Sequence, residues 1–180
     1  MFISSNFDSG NIEVISCEVI DDGVGKIQLH IRKDAHSEFF QWFHFRLSGA
    51  RGVRCTLKIL NAGAAAYPPG FEDYRVCYSY DRDSWLRHPT KLEQGVLSFD
   101  FKPDCDSVYF AYFAPYSMER HHDLIAKSSQ SSLYSHRLLG QSLDGQDLDL
   151  LRIGLPDQNE NKKKSSHHSK PQQVEVPPLV

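Results

Sequence analysis

Histidines and carboxylates are the groups in this 180-residue chain best suited to hold a metal or move a proton. The run Met118-Glu119-Arg120-His121-His122-Asp123 sets two imidazoles beside acidic side chains. Zinc takes a tetrahedron of nitrogen, oxygen or sulfur ligands, at least three of them from protein, so spacing decides whether such a pair is useful. Met118, His121, His122, Ile125 and Ser129 recur at intervals of three and four, which is a helical period. Neighbours on a helix diverge by about 100°. His121 and His122 therefore point apart, and His136, the next histidine, has no fixed relation to either. His36 and Glu38 would share a face of a strand, but they lack a third ligand. His167-His168 stands in a polar tail and reads as a solvated pair. No His-x-x-Glu, His-Glu-x-x-His, Gly-x-Ser-x-Gly or phosphate-loop pattern occurs.

A second group of residues suits recognition. In Phe39–Leu47 the alternation places Phe39, Phe43, Phe45 and Leu47 on one face and Phe40, Trp42, His44 and Arg46 on the other. Aromatic rings with an arginine are enriched at protein interfaces. The second face reads as a surface covered by a neighbouring domain, or as a ligand platform. Trp85, after the turn Asp81-Arg82-Asp83, has two readings as well: a ring stacked on a sugar, or a turn tryptophan folded back over the core edge.

The elements that must position these groups are strands. Lys26–Arg32, Cys55–Leu60, Tyr74–Tyr80 and Gly95–Phe101 alternate apolar with polar residues, and Ser107–Phe113 is apolar on both faces, as in a central strand. Asn11–Ile20 adds a strand with a parity break near Ile15, the mark of a bulge. Turn chemistry separates the runs, at Asp21-Asp22-Gly23, Ser48-Gly49-Ala50, Pro68-Pro69-Gly70 and Glu93-Gln94-Gly95 among others. About six or seven short strands so punctuated predict an antiparallel β-sandwich. Pro115 ends the last strand, Ser117 is placed to cap a helix, and Glu119 suits its positive end. Beyond the helix, Leu138–Gly154 reads as two strands joined at Asp144-Gly145. The segment 155–180, with a lysine triplet and few large apolar side chains, reads as disordered.

Composition narrows the partners. A net charge of −3 and a pI near 6.3 argue against general nucleic-acid or acidic-membrane binding. No apolar run approaches the roughly 20 residues of a membrane span, and the start lacks the pattern of a secretory signal. Cys17, Cys55, Cys77 and Cys105 form no Cys-x-x-Cys motif and read as reduced thiols of a cytoplasmic protein.

Together, SSNFDSGNIEV (4–14), QWFHFRL (41–47), ILNAG (59–63), Tyr78-Ser79-Tyr80-Asp81 with Trp85, and VYFAYFAPYSMERHHDLI (108–125) resemble the amino-terminal domain of the cytosolic carboxypeptidases, a branch of the zinc carboxypeptidase family. LGQSLDGQDLDLLRIG (139–154) resembles the first hairpin of the catalytic domain that follows. The resemblance implies a mainly β chain: a sandwich over 1–116, a linker helix over 117–132, the first hairpin of a truncated α/β carboxypeptidase domain over 133–154, and a disordered tail over 155–180. It implies an accessory domain that shapes the approach to a zinc site. The enzyme would release carboxy-terminal residues from peptides or proteins, and some members trim glutamates. Trp42, His44, Arg46, Tyr112, Tyr116 and Arg120 would face the catalytic domain or line its funnel.

The family's zinc is held by a His-Pro-Gly-Glu segment and a later histidine, with a downstream glutamate as base and arginines on the substrate carboxylate. The segment should follow Lys162-Lys163-Lys164, where this chain reads SSHHSKPQQVEVPPLV. No catalytic, cofactor-binding or metal-ligating residue is therefore assigned within the chain. It reads as the amino-terminal piece of a longer enzyme, cut or read out of frame near residue 164. Two alternatives stay open: a free-standing binding module, perhaps for carbohydrate through Trp85, and an enzyme completed by a partner chain.

Overall fold

The computed structural model describes residues 1–20 and 23–154. The chain divides into two compact units, one over residues 1–120 and one from His121 onward. The expected disorder of 155–180 and the His167-His168 pair lie outside the described residues, as do the first two residues of the Asp21-Asp22-Gly23 turn.

The first unit holds two five-stranded sheets. One is ordered β1 (Phe2–Ser4), β4 (His44–Ser48), β10 (Ser107–Ala111), β6 (Arg75–Ser79), β7 (Leu86–Pro89). The other is ordered β2 (Glu13–Val19), β3 (Gly25–His30), β5 (Cys55–Ile59), β9 (Val96–Phe101), β8 (Lys91–Glu93). The expected β-sandwich is present, because each sheet turns one face of its alternation inward. Ile27 and Leu29 of β3, Leu57 and Ile59 of β5, and Leu97 and Phe99 of β9 are buried. So are Phe45 and Leu47 of β4, Val76 of β6, and Val108 and Phe110 of β10. Burial of apolar area on this scale is the main force closing such a domain. The ladder between β2 and β3 slips between Val14 and Ser16, which is the bulge expected near Ile15.

Two features depart from the sequence reading. β3 and β5 pair in parallel, within a domain read as antiparallel. The chain crosses to the other sheet to lay down β4 and must run in the same sense when it returns. The alternation read over 39–47 also starts too early: the strand begins at His44, and Phe39 is 69% exposed rather than sharing the buried face of Phe43. Backbone bonds explain the break. The Asp34 amide donates to Phe39 O and the Ala66 amide to Phe40 O, so the start of this stretch is held by loops, and only at Phe43, whose carbonyl accepts from the Tyr112 amide, does it join the neighbouring strand. β1, β7 and β8 are three or four residues long, too short to show a period.

Helix α1 (Met118–Ser128) starts where the Pro115–Ser117 signals place it. Ser117 Oγ accepts from the Arg120 amide at 3.3 Å, and Asp8 Oδ2 accepts from the Met118 amide at 2.9 Å. Two of the free first-turn donors are thus satisfied.

The second unit contains the greater part of α1 and a two-stranded antiparallel sheet, β11 (Tyr134–Gln141) and β12 (Asp147–Ile153). The turn falls on Asp144-Gly145, with the Gly145 amide donating to Ser142 O and Gly145 at φ +77°. Leu138, Leu139, Leu148 and Ile153 are about half exposed or more on this hairpin.

Candidate functional sites

The outer face of the first sheet carries a ring cluster built on His44. β4 sets His44 opposite Phe45 in the pleat, so its imidazole leaves the core side. It is nevertheless only 2% exposed, because other rings cover it. Phe7 stands edge-on at 4.9 Å, Trp85 at 5.8 Å and Trp42 at 6.1 Å, with Tyr109 at 6.2 Å. Ser9 Oγ lies 3.0 Å from His44 Nδ1, while Nε2 is buried with no hydrogen-bond partner. Burial, helped by the positive charge of Arg82, lowers the imidazole pKa to about 4. His44 is thus neutral at pH 7 and enclosed by rings.

The loop 5–10 makes this enclosure. Ser9 adopts φ 62°, which turns its carbonyl to accept from Trp42 Nε1 at 2.8 Å. Gly10 is required beside it, since a Cβ there would stand 2.0 Å from Ser5 O. Trp85 donates from Nε1 to Arg82 O at 3.0 Å and is half-buried, so it folds back over His44 instead of offering a free ring. The Asp81 carboxylate organises that turn. It accepts from the Ser84 and Asp83 amides and the Ser79 hydroxyl, which together pull its pKa down to about 2.

The other residues expected at an interface are dispersed. Arg46 is half-buried, with its guanidinium 5.9 Å from the Phe2 ring centroid. Tyr112 is half-buried, stacked on Tyr74 at 5.2 Å, and accepts from Gln41 Nε2 at 3.3 Å. Tyr116 is 59% exposed, and Arg120 is exposed in the first turn of α1. Trp42 and His44 are therefore brought together with Trp85, and Tyr112 joins Trp42 through Phe113, whose ring lies 4.5 Å from Tyr112 and 5.6 Å from Trp42. Phe7, Ser9, Tyr109 and Phe113 are absent from the sequence-derived set. Only the alternation of 107–113 could have suggested Tyr109, which shares a face with Ala111 and not with the buried Phe110.

The second unit holds a separate cluster. His121 Nε2 lies 2.9 Å from Asp149 Oδ2, and His136 Nε2 lies 2.6 Å from Asp149 Oδ1. A carboxylate only accepts, so both imidazoles carry their proton on Nε2. These bonds, His136 first, hold the Asp149 carboxyl below the usual carboxylate range. The sequence gives His136 no relation to His121. Asp149 supplies one, and its side chain is 7% exposed.

Zinc was the metal to test. Among the described residues no three His, Cys, Asp or Glu side chains are arranged to hold a metal ion. His121 and His136 are turned onto the two oxygens of one carboxylate. Glu38 pairs with Lys33, and His36 is exposed at φ 63°. Among the described residues the donor groups do not fit a zinc centre.

Comparison with known proteins gives the class. A model of the cytosolic carboxypeptidase N-terminal domain matches residues 3–113. The chain belongs to that family. It is 45% identical over 152 residues to an uncharacterized protein of Zymomonas mobilis, covering 84% of this chain and 39% of that one. It also matches the crystal structure of a metallo-carboxypeptidase from Burkholderia cenocepacia, with a TM-score of 0.80 and 42% identity over 88% of this chain and 40% of the other. A metallo-carboxypeptidase from Pseudomonas aeruginosa, solved with (2-guanidinoethylmercapto)succinic acid, matches with a TM-score of 0.76 and 38% identity over 85% and 40%. The chain therefore spans about 40% of the length of these relatives.

Proposed function

We propose that this chain is the accessory sandwich of a zinc metallocarboxypeptidase, acting in the cytoplasm. It shapes the approach to an active site that a catalytic domain builds, and it has no peptidase activity by itself. The observation that carries the reading is the match of residues 3–113 to an amino-terminal domain model, with metallo-carboxypeptidases as solved relatives. The zinc, the base and the clamp for a peptide's carboxy-terminus belong, on this reading, to the catalytic domain. The cytoplasmic assignment draws on the family's description and on Cys17, Cys55, Cys77 and Cys105 being free thiols. Trp42 and Tyr112 contribute as the support of a docking face. His44 acts from beneath it, and Arg46, Tyr116 and Arg120 are the further residues that would meet the catalytic domain or line its funnel.

Zinc content and hydrolysis of a short peptide, measured on the purified 180-residue chain, test this. The expected result is well below one zinc per chain and no release of a terminal amino acid. One tightly held ion per chain, or cleavage that a chelator stops, would sink the proposal.

A further inference from the structure

The geometry points to Phe113 as the anchor of an interaction surface whose occupant is a carboxypeptidase catalytic domain. This rests on the reading above, and it names the residue that reading lacked. Phe113 follows β10 and keeps 52% of its surface exposed. The two rings beneath it are fixed. Trp42 is tied through its Nε1 to Ser9 O at 2.8 Å. Tyr112 is stacked on Tyr74 and hydrogen-bonded to Gln41. Phe113 thus presents an apolar face on a rigid base, so burying it under a partner costs little side-chain entropy. Aromatic residues held this way are the usual centres of binding energy.

His44, by contrast, is enclosed and cannot touch a partner; its part is to hold the Trp42 and Trp85 rings in place. The outer face of the second sheet differs in kind. It carries an open cavity of about 670 Å³ with a mixed lining, in which Leu60 and Val96 stand among Gln28, Lys58, Glu93 and Ser98, and with no ring to anchor a partner. The occupant follows from length. The relatives match this chain over only 40% of their own chains, so the larger part of each remains to be packed.

The test co-expresses the full 180-residue chain with the unmatched part of the Burkholderia cenocepacia relative, so that neither has to fold alone, and measures co-elution and affinity. Wild type should co-elute one to one. Phe113→Ala should weaken the complex by roughly tenfold or more. Val19→Ala, which trims a comparably bare apolar side chain (54% exposed) from the edge strand of the other sheet, should leave it unchanged. If wild type fails to co-elute, both the accessory-domain reading and this inference fall. If wild type binds and Phe113→Ala binds as well, or if both substitutions weaken binding alike, the inference falls alone. It falls too if Phe113→Ala only breaks up a homodimer of the chain.

Discussion

At the scale of single residues, His44 has the clearest measurable consequence. Its ring is held neutral in the folded state, with a pKa of about 4 against an ordinary 6.5. Between those values the unfolded chain binds a proton that the folded chain refuses, so stability must fall as pH drops from 6.5 towards 4. Above about pH 8 neither state is protonated there, and the contribution is flat. The limit for one group is about 1.4 kcal/mol per pH unit. Urea unfolding of wild type and His44→Phe at several pH values isolates it: the wild-type slope over pH 6.5–4 should be steeper by nearly one proton. Equal slopes would mean that the buried ring charges freely. The sequence placed His44 on the face opposite Phe45, which is right. It could not show that Phe7 and Trp85, 37 and 41 positions away, would close over that face, because ring packing across loops leaves no period in the chain.

At the scale of elements, strands with a buried partner face were legible and loop-held segments were not. β3, β5, β6 and β9 follow from alternation alone, since a pleat buries every second side chain. The stretch 39–42 alternates as well, yet its start is shaped by bonds from Asp34 and Ala66 that no local pattern encodes. The β11–β12 hairpin was legible from its turn, but its tie to α1 was not. Two strands alone are marginal in water, and Asp149 is the polar group that joins them to His121 of the helix. Alanine offers no acceptor in place of the carboxylate. Asp149→Ala should therefore lose both imidazole bonds and speed amide exchange in β12 and in α1 beyond His121, while the amides of β4 and β10 keep their protection. Unchanged exchange throughout would show that the carboxylate does not support the hairpin. The same lowered carboxyl pKa means its contribution lasts until the pH falls below the usual carboxylate range and then disappears.

For the whole molecule, the division into two units predicts two unfolding events. Both tryptophans, Trp42 and Trp85, lie in the sandwich, so their fluorescence reports that unit alone. The sandwich has a continuous core running from Ile12 to Phe110, whereas α1 has no buried residue. In a urea series the amides of 134–153 should lose protection while tryptophan emission is still native. Coincident transitions would make the chain a single cooperative body.

Which strand lies where also bears on how the sandwich is made. The chain passes from one sheet to the other and back several times, and β10, the last strand laid down, sits in the middle of the first sheet between β4 and β6. During synthesis those two strands wait without their shared neighbour until residue 111 has cleared the ribosome, and a product that stops earlier is left with two half-sheets and a bare core.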